Sequence, residues 1–168
     1  MPVTLPAFQT LVDAHWRDVA RLAHALAGPV DGDDVAQQAW VQALAAYPRL
    51  QSSRNLRSWL LTITHRCAMD SHRARGRRAV PSDDVAALGG DRGALGGGGP
   101  VAGPEATLPD ADLWKRVADL PERQREAVVL KYVADLEHTE IARALETTPT
   151  MSRRLVSDGL AALRRDLP

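Results

Sequence analysis

Cysteine, isoleucine, aromatic side chains and net charge are scarce in this 168-residue sequence. A single cysteine, Cys67, excludes an internal disulfide framework and any Cys-rich zinc module, and it suits a reducing, cytoplasmic setting. Aromatics make up 4% of the chain, and isoleucine occurs only at Ile63 and Ile141, against 27 alanines and 21 leucines. Strands favour β-branched and aromatic side chains, whereas Ala and Leu are strong helix formers, so an all-α fold is expected. No apolar run approaches the ~20 residues of a membrane helix. The N-terminus lacks the basic segment and apolar run of a secretory signal, so the expectation is a soluble protein with no membrane insertion. Also missing are a Walker-type phosphate loop, HExxH and GxSxG, which argues against catalysis and against a cofactor.

The zero net charge hides an uneven distribution. Residues 1–78 carry ten Arg against six acids, residues 79–110 one Arg against five acids, and residues 111–168 ten of each sign. The middle segment also holds eight of the twelve glycines, including Gly96 to Gly99, with Pro81, Pro100, Pro104 and Pro109. Such composition cannot bury a core and reads as a flexible, acidic linker between two small helical domains, 1–78 and 111–168.

In the first domain Phe8, Leu11, Val12, Val19, Leu22 and Leu26 recur at helical spacing, and Gly28-Pro29 reads as a stop. A second helix is expected from an Asp33 or Asp34 N-cap to about Tyr47. The polar stretch Pro48 to Asn55 follows. A third helix then carries Leu56, Trp59, Leu60, Ile63 and Cys67 on one face and ends in Arg73, Arg75, Arg77 and Arg78. That arginine density, with Arg66 and His72 and only Asp70 opposing, suits a phosphate backbone. Trp59 has two readings, a base-stacking platform or a core residue, and its apolar face favours the core. His65, Cys67 and His72 do not converge as metal ligands at i, i+2, i+7 on a helix.

The second domain shows a short helix with Leu113, Val117 and Leu120, then one over Arg125–Val133 with Val128, Val129 and Tyr132 inward. HTEIARAL (138–145), a break at Glu146-Thr147-Thr148 and a last helix opened by Pro149 resemble a helix-turn-helix, although a plain helical hairpin with a solvated basic face gives the same pattern. In the last helix Met151, Leu155, Leu160 and Leu163 are expected inward. Thr148, Thr150, Ser152, Arg153 and Ser157 are expected toward a major groove, with Arg154 nearer a phosphate.

Residues 33–44 (DDVAQQAWVQAL) and 58–78 (SWLLTITHRCAMDSHRARGRR) resemble region 2 of bacterial sigma factors. Residues 119–145 (DLPERQREAVVLKYVADLEHTEIARAL) are similar to region 4. Two regions in this order at this length resemble the extracytoplasmic function (ECF) group. The chain departs from the pattern at Gln38, where an acid is usual, and at Glu146, where Gly is. The resemblance implies a sigma factor that binds core RNA polymerase, directs it to promoters and helps melt DNA, held in check by an anti-sigma factor. Asp34, Gln37, Gln38 and Val41 would meet the β′ clamp helices. Arg49, Ser52, Ser53, Arg54 and Asn55 would capture a flipped base of the minus-ten element. Arg57, Ser58, Trp59, His65, Arg66, Asp70, Arg73 and Arg77 would line the opened strand. Region 4 would read the minus-thirty-five element and touch the β flap. A sigma-like regulator that binds DNA or protein without initiating transcription is the alternative.

Overall fold

Helix α1 (Phe8–Ala46) opens the fold and is bent at a single residue, Gly28, whose φ of 83° and ψ of 176° leave helical space. The computed structural model describes residues 3–79 and 111–165; the expected linker, apart from Ala79, lies outside them. A short 3-10 turn (Tyr47–Arg49) leads through a loop to α2 (Leu56–Ala79). The second domain holds α3 (Ala111–Asp119), α4 (Glu122–Tyr132), α5 (His138–Ala144) and α6 (Pro149–Arg165). The described residues contain no strand, as the alanine–leucine composition requires.

The expected stop at Gly28-Pro29 is an elbow rather than a loop. Pro29 re-enters helix immediately, because a first-turn residue needs no N–H donor and proline's φ is already helical. Asp33 and Asp34 therefore lie inside α1 and cap nothing, which corrects the expected start of the second helix. Gly32 lets the two arms touch: a Cβ there would stand 2.5 Å from the His24 ring. Both arms pack on α2, joining Leu11, Val19, Leu22 and Leu26 with Val35, Ala39 and Ala43 against Leu60, Leu61, Ile63 and Cys67. An aromatic cluster closes the far end. Phe8 meets Trp40 edge-on at 6.1 Å and Tyr47 at 5.2 Å, Tyr47 lies 6.3 Å from Trp59, and the Tyr47 hydroxyl donates to Pro6 O at 2.7 Å.

In the second domain both ends of α5 and the start of α6 are satisfied locally. Glu137 and Glu140 form a reciprocal capping box on α5. After α5, Thr147 N–H donates to Ala142 O at 2.8 Å and Glu146 N–H to Arg143 O at 3.3 Å, the bond pattern of a Schellman turn. Its left-handed position falls to Glu146 with φ 52°, where glycine is the unstrained choice. The Thr148 Oγ1 accepts from Met151 N–H at 3.1 Å and starts α6 as expected.

The inward face of α6 is Ser152, Val156 and Gly159, one residue on from the expected Met151 and Leu155. Met151 is exposed, and Leu155, Leu160 and Leu163 are only half-buried. The reason is close approach: α6 lies so near α4 that a Gly159 Cβ would meet Val128 Cγ2 at 2.7 Å. Small residues line that seam, and an apolar pattern alone cannot find them. Tyr132, expected inward, is exposed at the end of α4, and Leu113 is exposed on α3.

A single apolar core runs through both domains. On α4 five consecutive residues, Glu126 to Leu130, are buried, because α5 and α6 cover one side and α1 packs on another.

Two substitutions check this geometry by urea unfolding. Glu146→Gly should stabilise by about 1 kcal/mol through relief of the left-handed conformation. Gly159→Ala should destabilise by about 1–3 kcal/mol by overpacking against Val128.

Candidate nucleic-acid interface

The distal arm of α1 presents Asp34, Gln37, Gln38 and Val41, all exposed, at i, i+3, i+4 and i+7 on one face. Val41 is 62% exposed, and two aliphatics that sequence reasoning missed extend the same line: Val30 at 83% and Leu44 at 56%. Positions 30, 34, 37, 41 and 44 alternate steps of four and three, the spacing of a coiled-coil seam. Their signal was present in the sequence, but apolar residues on a helix are read as core by default.

The loop before α2 exposes Arg49, Ser52, Ser53, Arg54 and Asn55. It is held from within. Arg54 N–H donates to Ser52 Oγ at 3.1 Å, and Asn55, at φ 57°, accepts Trp59 N–H on its carbonyl at 3.0 Å. Asn tolerates that left-handed conformation, so the loop meets α2 with little strain.

Along α2 the expected residues divide. Arg66, Arg73, Arg77 and Arg78 are exposed, Arg73 with Asp70 at 3.3 Å, and Arg75 pairs with Asp31. Trp59 is half-buried and packs against the core beside Tyr47, in keeping with its core reading. Arg57 is engaged: its Nε donates to Asp18 at 3.1 Å and its Nη2 to Ala134 O, in the second domain, at 2.6 Å. His65 is a correction. It is 5% exposed, with Nε2 3.3 Å from the buried Glu126 carboxylate. On this helix His72 bonds Leu26 O at 2.7 Å and Cys67 packs in the core, so the three candidate ligands diverge. Burial, with Asp70 adding to it, pushes the Cys67 thiol up, away from the reactive thiolate.

On α6 Thr148, Thr150, Arg153, Arg154 and Ser157 are exposed, with Met151 beside them. Ser152 is fully buried and hydrogen-bonded at 2.9 Å to His138 Nδ1, so it fixes α6 against α5 instead of facing a groove. His138 was not anticipated. Burial, then Lys131 and Arg153, lower its pKa from 6.5, with Glu137 opposing.

An elbowed helix packed on a basic helix, followed by a helix-turn-helix, can now be compared with known proteins. The Sigma-70 region 2 family matches residues 11–78 and the Sigma-70 region 4 family residues 110–163. The chain belongs to the extracytoplasmic function sigma factors. It is 29% identical over 145 residues to the ECF RNA polymerase sigma-E factor of Escherichia coli K12, covering 83% of this chain and 75% of that one. To ECF sigma factor SigD of Mycobacterium tuberculosis it is 32% identical over 141 residues, covering 77% and 62%. Among solved structures it resembles the sigma factor RpoE in complex with the anti-sigma factor NepR from Bartonella quintana. The TM-score is 0.72 at 21% identity, covering 94% of both chains, which supports the fold. Sigma factors are transcription initiation factors rather than enzymes, and their two regions correspond to the two helical domains here.

The lowered His138 pKa sets a pH dependence for this sigma factor. The fold binds the imidazole proton less readily than the unfolded chain does, so His138's contribution to stability is complete at neutral pH and drains as pH falls through 6.5. His138→Asn, which cannot titrate there, should flatten the decline of melting temperature between about pH 7 and pH 5.

Proposed function

We propose that this sigma factor binds core RNA polymerase through the Val30–Leu44 seam of α1, delivers it to promoters and helps hold the melted strand. The seam is the observation that carries this reading. Three aliphatic side chains stay in water at heptad spacing, with Asp34, Gln37 and Gln38 between and beside them, and such a stripe suits a partner helix. The β′ clamp helices are that partner.

The exposed loop Arg49 to Asn55 follows α1 directly and supplies cations and hydrogen-bonding groups for an unpaired base of the minus-ten element. Extruding a base costs a few kcal/mol of stacking, which a pocket recovers only after the duplex opens. Arg66, Arg73 and Arg77 then follow the strand's phosphates. On α6 Thr148, Thr150, Arg153, Arg154 and Ser157 read the minus-thirty-five element, with the β flap as the neighbouring surface. Each module is weak alone, and tethering both to one polymerase raises their effective concentration on DNA. An anti-sigma factor is the expected restraint, in keeping with the likeness to RpoE bound to NepR.

The alternative, a regulator that does not initiate, would be favoured by a defective helix-turn-helix turn at Glu146. That turn closes with regular Schellman bonds, which favours a working helix-turn-helix.

Run-off transcription with core polymerase on genomic fragments tests the proposal. Wild-type protein should give discrete transcripts that share a two-block upstream motif. The double variant Val41→Glu/Leu44→Glu should keep its helicity, since both sites are exposed, and lose core binding at least tenfold (~1.4 kcal/mol) together with transcription. Core binding without transcripts from the wild type would support the non-initiating regulator.

A further inference from the structure

The elbow of α1 borders a cleft of about 680 Å³ that promoter recognition does not use. Its walls are apolar: Leu26, Ala27 and Pro29 from the elbow face Trp114, Val117 and Ala118 from α3. Its titratable lining is of one sign, Arg21, His24, His72, Lys115 and Arg125, with no carboxylate among them. We propose that this cleft is a binding site for a fatty acid, a free carboxylate on an aliphatic tail. The proposal is independent of the reading of α2 and α6 as DNA-binding elements.

Gly28 accounts for the space. At φ 83° it turns the chain out of its helical course, and a Cβ there would meet nothing within 4 Å, so the elbow looks into open room. Leu26, Ala27 and Val117 are buried and Trp114 is half-buried against the core, so packing behind the walls holds them in place. The volume lies within the range of small-molecule sites, roughly 300–1,000 Å³. Only Trp114 offers a ring to stack on, and the aliphatic remainder suits an alkyl chain better than a flat ring system.

The charge of the lining selects the head group. A chain with 21 basic and 21 acidic residues gives no bias toward either sign. The cleft of about 390 Å³ between α2 and α4 shows the mixed outcome, with Asp70, Glu122, Glu126 and Glu146 standing among its cations. At the elbow both imidazoles are engaged locally. His24 Nδ1 donates to Ala20 O at 2.7 Å with its Nε2 3.2 Å from Asp33, and His72 Nε2 donates to Leu26 O at 2.7 Å. Arg125 gives Nη1 to Ala118 O at 3.0 Å and keeps its other donors. Lys115 lies 3.9 Å from Asp112, and Arg21 is exposed with no ion pair among the described residues. Two guanidiniums and an ammonium are thus left at an apolar cleft. A guanidinium takes a carboxylate in a two-pronged bond, and a tail behind that carboxylate covers the aliphatic walls.

The test varies tail and head separately on the full chain. Calorimetry compares octanoate, decanoate and dodecanoate, each below its micelle concentration, with dodecanol. Affinity should rise about fourfold for each added methylene. Dodecanol should bind at least about tenfold more weakly than dodecanoate. Ala118→Trp, on an exposed residue, should fill the cleft and abolish binding. Arg21→Glu should weaken dodecanoate about tenfold, whereas Arg164→Glu, the same charge change at the exposed end of α6, should leave it unaltered. A tail-brominated dodecanoate should quench tryptophan fluorescence, and Trp114→Phe should remove most of that quenching. A flat chain-length series, equal binding of dodecanol, or full binding by Ala118→Trp overturns the site. Should Ala118→Trp lose helicity, Arg21→Glu and the bromine quenching decide in its place, and unchanged affinity or quenching that survives Trp114→Phe overturns it. A wild type that dimerises over Trp114 and takes up no dodecanoate gives the cleft to a second copy of the chain and overturns the proposal equally.

Discussion

A carboxylate with almost no access to water is the constraint around which the second domain is arranged. Glu126 sits on the first turns of α4, and the four residues after it are buried as well. Such a helix has no solvent face in its middle, so it needs neighbours on more than one side. α6 comes close through Ser152 and Gly159, α5 is clamped to α6 by the His138–Ser152 bond, and α1 packs on another side of α4. The face of α6 left outward, from Thr148 through Arg153 to Ser157, is the part that α4 does not consume. Outward and core residues on α6 are thus complementary outcomes of one packing decision.

The first domain solves a different problem, which is to keep an aliphatic seam in water without unfolding around it. The Gly28 elbow lets α1 fold both arms onto α2, and Ala39 and Ala43 draw the distal arm in by their small size. With that inner face filled, Val30, Val41 and Leu44 have nowhere to go but out. The aromatic cluster of Phe8, Trp40, Tyr47 and Trp59 pins the end of the arm and the start of the polar loop. Seam and loop are therefore anchored by the same aromatic side chains.

Much of this was legible in the sequence where the signal is local. The all-α class, the Thr148-Pro149 start of α6 and the exposed loop follow from propensity, caps and polarity, while the Asp34–Val41 face came from the resemblance to region 2. What escaped depends on the distance between helices. Ser152 looked polar and therefore outward, and Met151 apolar and therefore inward. The close crossing of α4 and α6 favours the smaller residue at the seam and reverses both. His65 and Arg57 looked like free donors on a basic helix, and no pattern within α2 announces that another domain supplies their acceptors. Asp33 and Asp34 resembled an N-cap only because the proline four residues earlier had been read as an end instead of a beginning.

Charge pairing explains why a neutral chain can still carry a basic working surface. Region 2 spends part of its excess internally, Arg57 on Asp18, Arg75 on Asp31 and Arg73 on Asp70. Among the described residues, Arg49, Arg54, Arg66, Arg77 and Arg78 have no such ion pair, and they fall in the loop before α2, midway along it and at its end. The acids that balance the total lie largely elsewhere in the chain, in region 4 and in the segment 79–110. Surface pairs contribute little to stability, so their main effect is to set which cations stay available for phosphates. Neutrality of the whole then limits attraction to a polyanion at a distance, while the unpaired arginines of the loop and α2 keep a strong field close to the surface.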